Sequence, residues 1–178
     1  AKPSTPVPGA QDISPLPLDP NIPKHHVVPA EHVCLHRLSL PIRSKRQRLE
    51  ALPFALEDTV ATNLEKTHFA ICQTYPDGEF LAATIDTSIM DRLLAEAPDI
   101  PILPEQMLLA PEPQTGEDPI WAVFRHNDRL IIRMPDGTGF AANIPAFTQI
   151  WIAAGKPIIK NYGAPLPGNV STAQFSKN

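Results

Sequence analysis

The sequence predicts a mixed α/β (α+β) fold of two small units, in the order β-α-β-β-α and then β-β-β-α-β. Three observations support this prediction. One stretch has apolar residues at intervals of three and four, which is typical of an amphipathic helix. Several short runs have the alternation or the β-branched content of strands, and Asp-Gly pairs between them favour hairpins. The 178 residues are 43% hydrophobic and 19% charged, which is ordinary for a globular protein.

The main helix is predicted to begin in the basic cluster that starts at Arg43 and to carry an apolar stripe from Leu49 to Leu64. Its apolar residues form one stripe of roughly 120° at 100° per residue, so one face is expected to be buried. Pro53 lacks an amide hydrogen and clashes with the carbonyl four residues earlier, so we expect a kinked or two-piece helix. Phe54 lies off the stripe, and it either packs against a second layer or faces a partner. The stripe consists of Leu49, Leu52, Leu56, Val60 and Leu64.

The first unit is predicted over residues 27–97. A strand precedes the main helix because apolar Val33 and Leu35 alternate with more polar neighbours. After the helix, Asp77-Gly78 favours a tight reversal between two β-rich runs, which therefore form a hairpin. The predicted elements are a strand near 32–36, hairpin strands at 67–74 and 79–85, and a second helix capped by Asp86 or Thr87 and ending near Glu96.

Residues 98–119 contain six prolines and are predicted to connect this unit to a second one over residues 120–166. The second unit is read as a three-stranded meander, a helix that begins with Pro145, and a final strand. Gly155 is expected to end the helix. The predicted strands span 120–125, 129–134, 139–144 and 157–161.

Both ends of the chain are predicted to lie outside the two units. Residues 1–26 have seven prolines and little apolar periodicity, so they are expected to form a proline-rich tail or linker. Residues 167–178 are expected to form a flexible tail. The chain has no run of 18 apolar residues and does not begin with Met. We therefore expect a segment that is soluble as given and belongs to a longer parent protein.

The charge and the cysteine content argue against several classes of protein. The net charge of −4 and the pI near 5.8 argue against general binding to nucleic acid. Cys34 and Cys72 both lie in strand-like runs, and a chain of this size needs no disulfide to fold, so we expect free, buried thiols.

Four parts of the sequence carry a family resemblance. They are Val28–Pro41, the phrase Ala-Leu-Pro-Phe-Ala-Leu-Glu-Asp at 51–58, His-Phe-Ala at 68–70, and a looser match from Trp121 to Phe140. In this order they closely resemble the cytoplasmic domain of type II secretion system protein L. With the Ala-Ala-Gly-Lys-Pro that contains Gly155, the resemblance covers about residues 27–166.

This resemblance implies a partial actin-like, ribonuclease H-like architecture and a non-catalytic scaffold without a cofactor. The scaffold would dock the hexameric secretion ATPase, protein E of the system, to the inner-membrane platform. It would lie on the cytoplasmic side of the bacterial inner membrane. Its parent would continue into one membrane span and a periplasmic domain that pairs with protein M, and a homodimer is possible. The alternative is a nucleotide-binding ATPase or switch of the actin family.

The proposed partner interface lies on the main helix and consists of Arg46, Arg48, Phe54 and Asp58. The two arginines belong to a basic cluster that begins at Arg43 and has no acidic residue before Glu50. Positive charge at a helix N-terminus interacts unfavourably with the helix dipole and slightly destabilises the helix. Such a cost suggests that the basic cluster has a binding role. Carboxylates of a partner protein, phosphate or lipid headgroups, and a merely solvated face are the three interpretations.

The candidate nucleotide site is the turn Asp136-Gly137-Thr138-Gly139. Actin-family ATPases hold phosphates with turns of this kind. In those proteins the phosphate turn joins the first two strands of the meander. Here that turn is His126-Asn127-Asp128, which has no glycine, and the glycine-bearing turn is the second one. The chain also lacks a GxxxxGK[ST] motif. The sequence therefore predicts no ATP hydrolysis.

The candidate metal ligands are His32, Cys34 and His36, which occupy every second position of one strand and so share a face. Their side chains have donor atoms that suit zinc. His25 or His26 would be a fourth ligand. The spacing does not match a common structural zinc motif, so ordinary strand residues are the preferred interpretation. No Gly-x-Ser-x-Gly motif is present, and neither cysteine has a local His and acid beside it. The sequence predicts neither a bound metal nor a catalytic residue.

Overall fold

A computed structural model describes residues 24–60, 63–113, 116, 118–168 and 170 of the chain. Over these residues it contains three α helices, nine strands and 3-10 turns at Ala30–His32, Leu64–Lys66 and Glu105–Leu108. The fold is mixed α/β, as predicted. The helices are α1 (Lys45–Ala55), α2 (Thr87–Glu96) and α3 (Ile144–Ala153), and the strands are β1 (His26–Val28), β2 (Val33–Leu38), β3 (Thr67–Thr74), β4 (Phe80–Asp86), β5 (Ile102–Pro104), β6 (Ile120–His126), β7 (Arg129–Arg133), β8 (Gly139–Asn143) and β9 (Ile158–Asn161).

The first unit is an antiparallel sheet in the order β2-β4-β3, with one helix packed on each face. The central strand β4 is almost entirely buried, and its side chains alternate between the two faces. Phe80 and Ala82 pack with residues of α1, whereas Leu81, Ala83 and Ile85 pack in the cluster that includes Leu93 of α2. The predicted β-α-β-β-α order is confirmed.

Helix α1 is shorter than predicted. It ends at Ala55, and Leu56 is its C-cap, so it stops two residues after Pro53 instead of continuing to Leu64. Pro53 removes the hydrogen bond to the carbonyl of Leu49, and no further turn of helix compensates for that loss. The predicted stripe is correct at Leu52 and Leu56, which are buried, and wrong at Leu49, which is 42% exposed. Leu64 begins a separate 3-10 turn.

The segment predicted as a proline-rich connection, residues 98–119, contains ordered structure. Strand β5 pairs in parallel with β1, and His26 N donates to the carbonyl oxygen of Pro101 at 2.8 Å. The 3-10 turn Glu105–Leu108 follows β5 directly. The sequence analysis missed this small sheet because β5 lies in a proline-rich segment. The predicted unit boundaries themselves stay a prediction.

The second unit is a sheet in the order β8-β7-β6-β9. Its first three strands are antiparallel, and β9 returns after α3 to pair in parallel with β6. This is the β-β-β-α-β order that the sequence predicts. Asn143 caps α3, Pro145 lies in its first turn, and Gly155 follows its end with a φ of 81°. The core consists of Trp121, Val123, Leu130, Ile132, Phe147, Trp151, Ile159 and Val170.

Val170 is 3% exposed, although the sequence analysis assigned it to a flexible tail. The ordered unit therefore extends at least to this residue. Residues 1–23 and 171–178, which include most of both predicted tails, lie outside the described residues. Among the helices that the structure describes, none is long and apolar enough to cross a membrane.

Candidate docking surface on the first helix

The sequence at the start of α1 positions the helix on the sheet. Ser44 is the N-cap, and its hydroxyl oxygen accepts a hydrogen bond from the amide of Gln47 at 3.5 Å. No acidic residue lies in the first turn. The predicted basic start of the helix is therefore present, and its positive charge is not balanced within that turn.

The inner face of α1 is formed by Arg48, Leu52 and Leu56, which follow one another at four-residue spacing. The expectation that Arg48 is an exposed interface residue is wrong, because only 8% of its surface is exposed. Its Nε donates to the carbonyl oxygen of Ile42, and its Nη2 donates to that of Gly78 at 3.0 Å. Its guanidinium also lies 4.9 Å from the centroid of the Phe80 ring. Arg48 thus attaches the helix to the sheet.

The outer face of α1 is formed by Arg46, Glu50 and Phe54, also at four-residue spacing. Phe54 is 79% exposed, so it does not pack against a second layer within the described residues. Arg46 has an 89% exposed side chain, and its Nε donates to Glu50 Oε1 at 2.9 Å. Asp58 is exposed in the turn that follows the helix. Three of the four predicted interface residues therefore lie on the surface at or just beyond α1.

The Asp136–Gly139 turn uses its polar groups internally. Asp136 Oδ1 accepts hydrogen bonds from the amide of Thr138 at 2.9 Å and from its hydroxyl at 2.7 Å. The carbonyl oxygen of Asp136 accepts from Arg37 Nη1 at 3.1 Å. Gly137 has a φ of 87°, and the hydroxyl oxygen of Tyr75 is only 2.3 Å from where a Cβ at this position would lie. The turn is packed against the first unit.

The region where an actin-family phosphate turn would lie is an acidic cleft. A cavity of about 530 Å³ adjoins the β6–β7 turn and is lined in part by Glu31, His126, Asp128 and Arg129. Arg129 donates to both Glu31 and Glu105, and these bonds lower the pKa of each carboxyl group. Among the residues that the structure describes, Arg129 is the only arginine lining this cleft, and it is already paired with two carboxylates. This charge arrangement does not favour a phosphate.

The histidines and the cysteine tested as metal ligands have other surroundings. His32 belongs to a 3-10 turn, Cys34 is exposed, and His36 Nε2 is 3.0 Å from Thr84 Oγ1. Burial lowers the pKa of His36. In the part of the chain that the structure describes, no three His, Cys, Asp or Glu residues are placed to hold a metal ion.

Both cysteines are free, as expected, but neither is fully buried. Cys34 is exposed, whereas Cys72 is half-buried, and its burial raises the pKa of the thiol. The residues that sequence reasoning missed are Arg37, which joins the two hairpin turns, and Arg48 in its buried role. The signal for Arg48 was its position four residues before Leu52, on the predicted stripe. Arg37 has no comparable signal, because its partners are distant in the sequence.

Comparisons with known proteins give one consistent family. The family model described as "Type II secretion system (T2SS), protein L" matches residues 4–175. The protein of that name from Dickeya chrysanthemi is 31% identical over 163 residues, which are 87% of this chain and 38% of the relative. The one from Pectobacterium carotovorum subsp. carotovorum is 33% identical over 121 residues, 65% of this chain and 27% of the relative. The chain thus spans well under half the length of these relatives.

Solved structures include one with a similar fold. It is Cyto-EpsL, the cytoplasmic domain of EpsL, an inner membrane component of the type II secretion system of Vibrio cholerae. The TM-score is 0.60 at 21% sequence identity, and the match covers 83% of this chain and 64% of that chain. At this identity the likeness shows the fold alone.

Proposed function

Because the chain belongs to the type II secretion system protein L family, we propose that it is a non-catalytic scaffold that docks the secretion ATPase to the inner-membrane platform. The segment would lie on the cytoplasmic side of the bacterial inner membrane. Its parent would cross the membrane once and pair with protein M in the periplasm. The ATPase, protein E of the system, is the partner assigned to the surface on α1.

The exposure of Phe54 is the observation that carries this proposal. A phenylalanine ring that is 79% exposed leaves a large apolar area in water. Folding of this chain gains little from that ring, whereas a partner with an apolar pocket would remove it from water. A partly apolar spot with charged neighbours is typical of a protein interface with a small anchor and a polar rim.

The charged residues beside Phe54 are suited to the polar rim of a protein interface. Arg46 is bound to Glu50 across one helical turn, but such an exposed ion pair is worth only about 0.3–0.5 kcal/mol. Arg46 is therefore free to exchange Glu50 for a carboxylate of the partner, which a guanidinium binds with two hydrogen bonds. Asp58, exposed just beyond the helix, would meet a basic residue. Arg48 would support the surface from below by holding α1 on the sheet.

Isothermal titration calorimetry with the N-terminal domain of the ATPase tests the proposal. The double variant Arg46→Glu with Phe54→Ala is expected to weaken binding at least about 100-fold, because it removes an anchor and reverses a rim charge. Circular dichroism should show an unchanged fold, since both side chains are exposed.

A second double variant controls for general surface effects. Leu108 is a 60% exposed apolar residue in another part of the chain, and Arg92 is an exposed arginine on α2. Leu108→Ala with Arg92→Glu makes the same kinds of change away from α1, and we expect it to bind like the wild type. Equal binding by both double variants would reject the α1 surface, and absence of binding by the wild type would reject the ATPase as the partner.

A further inference from the structure

The outer edge of β3 pairs with no other strand among the residues that the structure describes. The sheet order β2-β4-β3 places β3 at one end of the first sheet, so main-chain groups that point away from β4 have no strand beside them. With eight residues, β3 is also the longest of the described strands. A long open edge is a template that a further strand can extend through main-chain hydrogen bonds.

The opposite edge of the same sheet, formed by β2, is covered by other parts of the chain. Strand β8 of the second unit lies beside β2. Gln106 Nε2 donates to the main-chain carbonyl oxygen of Val33 at 3.0 Å. Arg37, at the other end of β2, donates to the carbonyl oxygen of Asp136 at 3.1 Å. Within the described part of the chain, β3 is therefore the open edge of this sheet.

The sequence of β3 lacks most of the features that protect an edge strand from pairing. Natural edge strands usually contain charged residues or proline, or they are short. The strand Thr67–Thr74 contains no Asp, Glu, Lys, Arg or Pro. A bulge is another protective feature, but here it lies between Ile71 and Gln73 and leaves five residues, 67–71, in regular register with β4. This regular part of the strand is suited to accept a partner strand.

The apolar side chains of β3 are only partly covered by the rest of the described chain. Phe69 and Ile71 are half-buried on the face that carries α1. On the face that carries α2, a cavity of about 70 Å³ adjoins His68, Ala70 and Cys72, so packing there is incomplete. A strand alongside β3 would cover the side chains of both faces and remove apolar area from water.

We propose that two copies of this chain associate by antiparallel pairing of β3 with β3, which joins their three-stranded sheets into one sheet of six strands. A second copy is the occupant of the edge because β3 is complementary to itself. A two-fold axis perpendicular to the sheet covers both open edges with one contact and keeps equivalent faces together, so Phe69 and Ile71 meet their own copies. An uncharged strand also meets its copy without repulsion between like charges.

Sedimentation velocity over protein concentrations of about 1–200 µM tests this pairing, because one pair of strands is a small interface that forms a reversible dimer. We expect a monomer–dimer equilibrium in the wild type. Ile71→Lys places a lysine on each of the paired strands and should raise the dissociation constant at least about tenfold. Ile152→Lys makes the same change at a 48% exposed isoleucine of α3 and should leave the dissociation constant unchanged. Hydrogen–deuterium exchange of residues 67–74 should slow as the protein concentration rises.

Several outcomes overturn the proposal. A wild type that stays monomeric at every concentration would reject self-association, whatever the titration with the ATPase domain shows. A dimer that Ile71→Lys leaves intact would reject β3 as the contact, and a dimer lost in Ile152→Lys would move the contact to α3. If Ile71→Lys does not fold, Gln73→Lys replaces it, because Gln73 is an exposed residue of the same strand. It should raise the dissociation constant at least about threefold, and an unchanged constant would overturn the pairing.

Discussion

Helix α1 and the Asp136–Gly139 turn differ from each other in a way that reverses what their compositions suggest. The sequence of the helix predicts an apolar stripe, which is typical of a packing element, yet Leu49 of that stripe is 42% exposed and Phe54, the one aromatic residue of α1, is 79% exposed. The turn has the Asp and Gly content of a phosphate-binding loop, yet it is folded against Tyr75 and Arg37 of the first unit. Amino-acid composition therefore predicts the local backbone conformation of these two segments better than it predicts their tertiary contacts.

The inner face of α1 provides the largest expected effect. Leu52 is fully buried against the sheet, so Leu52→Ala should lower the free energy of unfolding by about 3 kcal/mol. Leu49 lies on the same helix but is 42% exposed, and Leu49→Ala should cost less than about 1 kcal/mol. Urea unfolding of both variants measures the difference. Equal losses of unfolding free energy in the two variants would mean that α1 does not pack on the sheet with the face that the structure shows.

Gly137 and Gly78 form a matched pair for the next largest effect. Both have a φ near 87–88°, but a Cβ on Gly78 meets nothing within 4 Å, whereas one on Gly137 meets the Tyr75 hydroxyl at 2.3 Å. Gly78→Ala should cost about 1 kcal/mol for the backbone conformation alone. Gly137→Ala should cost about 2–3 kcal/mol, because the Tyr75 side chain or the turn must also move.

Chemical denaturation of the two glycine variants, alone and with Tyr75→Phe, separates the contributions. Removing the hydroxyl should recover part of the Gly137→Ala loss and none of the Gly78→Ala loss. If Gly137→Ala costs no more than Gly78→Ala, the turn does not hold the two units together as the structure indicates.

Local signals in the sequence were enough for most of the fold. Asp86, one of the two predicted caps, caps α2, and both Asp-Gly hairpins are present with glycines at positive φ. These features depend on neighbours in the chain. The missed features depend on distant residues: β1 pairs with β5 across a separation of about 76 residues, and Arg37 bonds the Asp136 carbonyl across 99. Neither contact leaves a periodic pattern.

The candidate site divides in the same way. Helical geometry and charge were sufficient to select Arg46, Phe54 and Asp58, all of which are exposed. The same reasoning failed for Arg48, because an arginine is normally assigned to the surface. Its partners are main-chain carbonyl oxygens of Ile42 and Gly78, which no side-chain pattern records. When a basic residue lies at helical spacing from an apolar stripe, a buried structural role should therefore be considered before a surface role.

The smallest expected effect is the response of the Asp136–Gly139 turn to nucleotide. Asp136 Oδ1 is bound within the turn, and the cleft at the neighbouring β6–β7 turn contains Glu31, Asp128 and an arginine already paired with two carboxylates. ATP would have to place its negative phosphates beside these groups, which Coulomb repulsion opposes. Calorimetric titration with ATP and magnesium should therefore give only the heat of dilution, and no phosphate should be released. Heat or turnover that disappears in Asp136→Ala would contradict this result and would support a nucleotide-dependent switch instead of a scaffold. Heat that persists in Asp136→Ala would place a nucleotide site elsewhere in the protein. The Asp136–Gly139 turn would then still be a packing element, in contrast to the exposed face of α1.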